Sequence, residues 1–228
     1  MILKLVIRTA AVLVAVAIGA AVWFYFQGSA EPTTGVTAPA LAATTVAGAE
    51  GGARLFGITD ESSATFELDE ELRGAPTHVT GVSNLVVGQL SLDPADLSAV
   101  EVGMILVNAR GLTTGTSNRD RAVRGPILDT SVHEFIEFET LSIDGLPGSV
   151  AVGETVVFTL SGNLTIRDVT RSVTFDASVT LVAPDRIEGT AVTRVTRSDF
   201  ELVIPSVAQV ANVTDEVLLT LDFVATSA

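Results

Sequence analysis

The sequence VVFTLSGNLTIRDVTRSVTFDASVTL, residues 156–181, contains the most regular pattern in the chain. In its first part every second residue is apolar or glycine: Val156, Phe158, Leu160, Gly162, Leu164 and Ile166. The second part alternates in the same way: Val173, Phe175, Ala177, Val179 and Leu181. Successive side chains of a β-strand point to opposite faces, so this period of two predicts two strands, each with one apolar face.

Similar patterns on both sides of this stretch predict an all-β domain. A third alternating set lies near the C-terminus: Val217, Leu219, Leu221, Phe223 and Ala225. Shorter strands are predicted at residues 64–70, 78–89, 100–109, 135–143 and 186–196. Turn signals such as Asp93-Pro94 and Asp144-Gly145 separate them, and residues 118–128 predict one short helix interrupted by Gly125-Pro126. About eight antiparallel strands form either a sandwich or a closed barrel, and periodicity does not choose between them.

The composition excludes several classes of protein. The 228 residues include no cysteine, which excludes disulfide frameworks, cysteine zinc sites and thiol nucleophiles. Residues 29–228 contain 11 basic and 27 acidic residues, a net charge of −16. Nucleic acids and anionic membrane surfaces attract clustered positive charge, so we expect no nucleic-acid partner.

The N-terminal residues 1–27 form a predicted transmembrane anchor. Residues 9–30 contain no charged side chain, and Lys4 and Arg8 precede them. The 18 residues 9–26 would span roughly 27 Å as a helix, close to the thickness of a bilayer core. Positive charge before the segment predicts a cytoplasmic N-terminus, with the rest of the chain outside the cytoplasm.

A cleaved signal peptide is the alternative interpretation of this segment, because Gly28 and Ala30 have the small-residue spacing of a cleavage site. The protein would then be secreted or periplasmic. In either case residues 28–52, rich in Ala, Thr and Gly, predict a flexible linker, and residues 53–228 suit one globular domain.

Several motifs resemble those of one family. The run GNLTIRDVTR at residues 162–171 is similar to a G-D-L-T-I-K-G-V-T-K signature, Arg119-Asp120 to an R-D pair, and RSDF at residues 197–200 to N-R-x-D-F-G. These motifs belong to the YceI family of lipid- or polyisoprenoid-binding proteins, and the resemblance covers about residues 62–226. It implies an antiparallel lipocalin-like β-barrel whose interior holds a long apolar ligand. In this chain the predicted transmembrane helix precedes the barrel.

The sequence also departs from the family pattern. Asn163 replaces an acid, Asp168 replaces a glycine, and Glu201 replaces the glycine that follows the aromatic residue. The proline that commonly precedes Ile136 is absent. None of these changes removes a predicted strand, so the resemblance is expected to hold for the fold.

Two groups of residues are predicted to bind the ligand. The first contains apolar side chains, which either line a tunnel or fill a packed interior: Phe138, Phe158, Leu164 and Phe175. The second contains Arg119, Asp120, Arg121 and Arg124, whose guanidinium groups are able to grip an isoprenoid phosphate at the mouth of the barrel. The alternative for the second group is structural: an Arg119–Asp120 ion pair, with Arg121 and Arg124 in solvent.

No catalytic, metal or cofactor site is predicted. His78 and His133 lack metal-ligand spacing, and there is no Gly-x-Ser-x-Gly motif. The acidic side chains are interpreted as solvated strand residues: Glu67, Asp69, Glu70, Glu71, Glu137 and Glu139.

The sequence therefore predicts a membrane-anchored, extracytoplasmic carrier or sequestering protein for an isoprenoid or other long-chain lipid. A ligand-free barrel that acts as a structural or protein-interaction module at the cell surface remains the main alternative. An enzyme acting on a lipid is the third and least favoured interpretation.

Overall fold

A computed structural model describes residues 52–227 of the chain. These residues form a curled antiparallel sheet with one short α-helix. The strands are β1 (Arg54–Ile58), β2 (Ser63–Leu72), β3 (Ala75–Ser83), β4 (Val86–Val87), β5 (Gln89–Asp93), β6 (Asp96–Val102), β7 (Ile105–Asn108), β8 (Phe135–Asp144), β9 (Thr155–Ile166), β10 (Val169–Ala183), β11 (Arg186–Thr196), β12 (Val210–Ala211) and β13 (Glu216–Ser227). The helix is α1 (Ser117–Ala122), and single helical turns lie at Ala109–Gly111, Val123–Ile127 and Arg197–Phe200.

Hydrogen bonding connects the strands in the order β4-β7-β8-β9-β10-β11-β13-β1-β5-β6. Strand β13 has two partners on one edge: its first half pairs with β2 and its second half pairs with β1. Strand β2 also pairs with β3. Strand β4, at one end of this order, lies close to β1, the third strand from the other end. Val86 and Val87 pair with β7, while the carbonyl of the next residue, Gly88, accepts a hydrogen bond of 2.9 Å from the Ile58 amide of β1.

The predicted strands are present, but the sheet is divided into more segments than the eight expected. The single strand predicted at residues 78–89 is split between β3, β4 and the start of β5, and the one at 100–109 between β6 and β7. Strand β1, most of β5 and the first half of β6 lie outside the predicted strands, because segments of only five to seven residues give a weak periodic signal. The turn at Asp93-Pro94 joins β5 to β6 as predicted.

The helix prediction at residues 118–128 corresponds to α1 and the turn that follows it. The Leu128 amide donates to the Val123 carbonyl at 2.9 Å, five residues back, so the turn is wider than an α-helical one. Pro126 lies inside this wide turn, so Gly125-Pro126 widens the helix instead of ending it.

The apolar faces predicted for β9, β10 and β13 point into the interior. Along β9, Leu160, Gly162, Leu164 and Ile166 are all buried, and their neighbours are more exposed. Buried residues form two clusters inside the curled sheet. One includes Phe138, Leu164 and Phe175 with the helical segment, and the other lies around Phe56 and Ile187.

Gly162 allows one close contact in this wall. A Cβ atom on Gly162 would lie 2.3 Å from the Glu139 carbonyl oxygen and 2.6 Å from the Phe138 ring, distances that no side chain tolerates. The missing side chain therefore leaves room for Phe138 to lie against β9.

Within residues 52–227 no helix is long and apolar enough to cross a membrane. The predicted anchor at residues 1–27 and residues 28–51 of the predicted linker lie outside the described residues.

Candidate functional site

The interior of the curled sheet contains two adjoining apolar cavities. The first, which we call the capped cavity, has a volume of about 120 Å³. The second, which we call the seam cavity, has a volume of about 100 Å³. The two cavities adjoin, because four residues line both of them: Ile105, Leu160, Ala191 and Leu221.

The lining of both cavities is almost entirely hydrocarbon. Polar residues in the lining are Gln89 in the seam cavity and Thr65 and Thr220 in the capped cavity. No titratable side chain lines either cavity. Such a surface favours an apolar ligand, since a buried charge or an unpaired polar group would cost several kcal/mol there.

The four apolar residues predicted to bind the ligand all line this interior. Phe138, Leu164 and Phe175 line the capped cavity, and Phe158 lines the seam cavity. The rings of Phe138 and Phe175 meet edge to face, with centroids 5.1 Å apart and an angle of 75° between their planes. These rings fill part of the interior, so the wall next to the capped cavity is firmly packed.

A helical cap, residues 109–128, covers the capped cavity. Ala109, Leu112, Val123 and Leu128 of the cap are buried in one cluster with the residues around this cavity. Phe200, from the turn before the C-terminal strands, joins the same cluster and is 1% exposed.

Asp120 fixes the start of the cap. Its carboxylate accepts hydrogen bonds from the Thr114 amide and hydroxyl, both at 2.6 Å, and from the Thr113 hydroxyl at 2.9 Å. Burial disfavours the charged carboxylate, but these hydrogen bonds and the nearby Arg124 charge together lower the pKa of Asp120.

The arginines of the cap bind protein groups. Nη2 of Arg119 lies 2.6 Å from Oε1 of Glu70, a side chain that is only 8% exposed. The expected Arg119–Asp120 ion pair is therefore replaced by a pair between Arg119 and strand β2. Arg124 donates to the backbone carbonyls of Asp120 and Arg110, each at 3.3 Å, and Arg121 donates to Asn118 at 3.4 Å.

This geometry gives Arg119, Asp120 and Arg124 a role in holding the cap. The structural alternative placed Arg124 in solvent, and the hydrogen bonds of Arg124 to two carbonyls correct that expectation. Binding of a phosphate by the group of four stays a prediction.

The histidines lie outside the cavities. His78 is on the outer face of the β2–β3 hairpin, with Nδ1 2.8 Å from Asp69 and Nε2 3.1 Å from Glu67. Hydrogen bonds to Asp69 and then Glu67 raise the pKa of His78. Nε2 of His133 lies 3.6 Å from Asp168. Within residues 52–227 no group of three or more His, Asp or Glu residues is arranged to hold a metal ion.

A polar groove opens beside the seam cavity, and no motif in the sequence predicts it. This seam groove, of about 630 Å³, lies between β6 and the second half of β8. It shares five apolar lining residues with the seam cavity: Leu97, Val100, Val102, Ile143 and Leu146. The groove forms where β7 stops pairing with β8, which is a property of the folded sheet and not of a local motif.

Comparison with known proteins identifies this architecture. The YceI-like domain model matches residues 58–225, about three quarters of the chain. The chain belongs to the YceI-like domain family. No curated protein sequence matches this chain.

Solved structures have the same fold at low sequence identity. A polyisoprenoid binding domain from Saccharophagus degradans implicated in plant cell wall breakdown is 14% identical, with a TM-score of 0.61 over 76% of this chain and 98% of that one. BcnA of Burkholderia cenocepacia is 20% identical, with a TM-score of 0.59 over 74% and 99%. The YceI protein of Campylobacter jejuni is 16% identical, with a TM-score of 0.54 over 67% and 86%.

The structure gives a physical account of three of this YceI-like chain's departures from the family pattern. Glu201 adopts a left-handed backbone with φ of 55°, a conformation that glycine adopts without strain. At the β9–β10 turn, the left-handed residue is Arg167 with φ of 57°, so Asp168 needs no glycine. Asn163 lies opposite Glu139 and donates to its carboxylate at 3.4 Å, whereas an acid there would repel Glu139.

Proposed function

We propose that this YceI-like protein binds an isoprenoid-type or other long apolar lipid in its interior and carries or sequesters it outside the cytoplasm. The observation behind the proposal is the pair of adjoining cavities with an almost wholly hydrocarbon lining. The printed description of the related Saccharophagus degradans domain as polyisoprenoid binding supports the same ligand class.

A lipocalin-like barrel is the form in which the curled sheet would enclose such a ligand. Residues 86–88 bond on one side to β7 and on the other to Ile58 of β1, which supports closure. Gly111 and Thr113 lie beyond β7, and Thr113 exchanges backbone hydrogen bonds of 2.9 and 3.0 Å with Val82 of β3. These contacts connect the β4–β7 end of the strand order to β1 and to β3.

The cavity volumes limit how much ligand the interior encloses. The combined volume of the two cavities is somewhat larger than the roughly 150 Å³ of a cavity that holds a benzene molecule. The interior therefore encloses roughly two isoprene units. Burying one isoprene unit contributes about 3 to 4 kcal/mol, so two or three units suffice for weak to micromolar binding after the cost of association. A longer chain extends beyond the enclosed cavities.

Binding, and not catalysis, is the proposed activity. Without a titratable group in the lining of either cavity, the interior offers no general acid, general base or activated nucleophile to an enclosed chain. A hydrocarbon chain is inert unless such a group reaches it.

Membrane attachment is proposed from residues 1–27, with the barrel outside the cytoplasm. The uncharged run at residues 9–30 and the preceding Lys4 and Arg8 support this orientation.

Protease added to intact cells is then expected to cut within residues 28–52 and release the domain. Full protection of that linker would contradict the orientation, and a mature protein that begins at Glu31 would show that the segment is a cleaved signal peptide.

Lipid binding is tested by mass spectrometry of an organic extract from the full chain purified from membranes. We expect an isoprenoid-type lipid in stoichiometric amounts. Ala191→Leu adds volume between the two cavities and is expected to reduce the bound lipid about tenfold, whereas Val157→Leu, on the outer face, leaves it unchanged. Absence of any lipid would instead support the ligand-free interaction module.

A further inference from the structure

The predicted linker joins the sheet at the end that the seam groove reaches. The first described residue, Gly52, lies against the β5–β6 turn, because a Cβ atom on it would come within 2.4 Å of Asp93 Oδ2. Strand β1 then begins at Arg54 and pairs with β5. The seam groove reaches the same end of the sheet at Leu97, in the first turn of β6 away from Asp93. The rest of the chain, residues 1–51, is therefore attached beside the groove.

Hydrogen bonds join the turns at this end of the sheet into one surface. We call this surface the linker rim, and it consists of residues 52–55, 93–97, 145–154 and 181–186. Arg54 Nη1 donates to the Pro184 carbonyl at 2.9 Å, and the Gly153 amide donates to the Leu181 carbonyl at 2.7 Å. The Val150 amide donates to a carbonyl of the β5–β6 turn at 2.8 Å. Because each segment is bonded to the next, the rim presents a fixed arrangement of side chains.

The linker rim exposes apolar side chains to solvent. Leu55, Val152 and Val182 are 40%, 55% and 42% exposed. The opposite end of the sheet also exposes two valines, Val132 and Val203, so exposure alone does not distinguish the two ends. The point of attachment does distinguish them. As a flexible coil the 25 residues of the predicted linker would reach about 25 to 30 Å, so the end nearest to the predicted anchor is the linker rim.

The charge of the linker rim determines which lipid surface it fits. The rim has four acidic and two basic residues, a net charge of −2: Asp93, Asp96, Glu154 and Asp185 against Arg54 and Arg186. Anionic headgroups attract basic segments and repel acidic ones, so the rim does not fit an anionic bilayer. A zwitterionic or uncharged bilayer meets no such repulsion, and apolar side chains are able to enter its interfacial region.

We propose that the linker rim rests on a neutral lipid surface, the bilayer that holds the predicted anchor, with Leu55, Val152 and Val182 in contact with it. This inference rests on the proposed membrane attachment and names the surface that the domain contacts. The anchor holds the rim near the bilayer at an effective concentration of about a millimolar, so three partly exposed side chains suffice for contact. The seam groove then opens at the bilayer surface, and a lipid reaches it without crossing water.

The first experiment measures which end of the domain lies near the bilayer. The chain contains no cysteine, so one introduced cysteine carries a fluorophore without a competing site. Full chains with Val152→Cys or Val203→Cys are labelled and reconstituted in phosphatidylcholine vesicles that contain a lipid with a spin-labelled headgroup. Residue 152 precedes β9 at the rim, and residue 203 follows the far end of β11. The 11 residues of β11 span about 33 Å, so we expect at least about threefold stronger quenching at residue 152.

The second experiment tests the apolar side chains of the linker rim. The fluorophore is placed at Leu55→Cys, and Val152→Ser/Val182→Ser is expected to reduce its quenching about threefold, because less apolar surface leaves water on contact. The matched control, Val132→Ser/Val203→Ser, makes the same changes at the opposite end and is expected to leave the quenching unchanged. Replacing part of the phosphatidylcholine with an anionic lipid should weaken the quenching, and added salt should restore it.

The outcomes separate this inference from the proposed function. Equal quenching at residues 152 and 203, or stronger quenching at residue 203, would overturn the contact and leave lipid binding, measured by extraction, intact. A label at residue 152 that is shielded from aqueous iodide but not quenched by the spin-labelled lipid would show that a protein covers the rim, and would also overturn it. Full chain that does not float with the vesicles would show that the proposed membrane attachment is wrong, and the inference with it.

Discussion

The capped cavity and the seam cavity adjoin inside one sheet, yet their surroundings differ. Around the capped cavity, Phe138, Phe175 and Phe200 pack against a helical cap that Asp120 and Arg119 hold in place. Around the seam cavity, Val100 and Ile143 line both the interior and the seam groove between β6 and β8. The difference suggests that the capped end of the interior is rigidly packed and that the seam end gives a ligand access to the interior.

The largest expected effect tests the rigidity of the capped end. Gly162→Ala would place a Cβ atom 2.3 Å from the Glu139 carbonyl oxygen, so the strand or Phe138 must move. We expect the free energy of unfolding to fall by about 3 kcal/mol, measured by urea denaturation.

The matched control lies in β1. A Cβ atom on Gly57 meets no atom within 4 Å, so Gly57→Ala is expected to change stability by less than about 0.5 kcal/mol. Equal effects of the two substitutions would contradict the close packing described at Gly162.

The next effect tests how the cap is held. Asp120→Ala removes the acceptor of three hydrogen bonds and leaves the Thr114 amide unpaired, so we expect a loss of about 2 kcal/mol in thermal or chemical denaturation. Asp144→Ala, in the exposed seam groove, removes one hydrogen bond of 3.3 Å and is expected to cost less than about 0.5 kcal/mol.

The contribution of Asp120 also depends on pH. Because the pKa of Asp120 is lowered in the folded protein, its ionised form stabilises the fold above the unfolded pKa of about 3.9. This contribution is lost as the pH falls through the lower folded pKa. The stability difference between the unchanged protein and Asp120→Asn should therefore shrink in strong acid, and a difference that is constant down to pH 2 would argue against a charged Asp120.

A smaller effect of opposite sign is expected at Glu201. Glu201→Gly relieves a left-handed backbone and is expected to stabilise the protein by about 1 kcal/mol in thermal denaturation. Asp168→Gly, the other return to the family pattern, relieves no positive φ and is expected to give no gain. A gain at residue 168 as large as that at residue 201 would contradict the backbone explanation.

The smallest effect concerns His78, outside both cavities. Because its two carboxylate partners raise the pKa of His78, protonation stabilises the fold fully below the unfolded pKa of about 6.5, and this stabilisation is lost as the pH rises through the folded pKa. Comparing His78→Gln with the unchanged protein by urea denaturation should give a larger stability difference at pH 5.5 than at pH 9. The reverse order would show that the histidine pairs in its neutral form.

The sequence predicted the parts of this architecture that depend on local pattern. Alternation along β9, β10 and β13 is visible in the sequence because one face of each strand is buried, and it correctly identified inward residues such as Leu164 and Phe175. The family motifs then chose the fold class that periodicity had left open.

Features that depend on distant parts of the chain were not predictable in this way. Arg119 pairs with Glu70, 49 residues earlier, and not with the adjacent Asp120. The seam groove depends on where β7 ends relative to β8. Each of these features follows from tertiary pairing, which local propensity does not specify.

The central claim is that a prenyl chain lies inside the sheet and crosses from the seam cavity towards the capped one. Photo-crosslinking with a farnesol analogue that carries a diazirine on its last isoprene unit tests this directly in the full chain. We predict labelling of peptides that contain Leu160, Ala191 and Leu221, reduced by Ala191→Leu. Labelling confined to outward residues such as Val157, or to residues 1–51, would contradict the account.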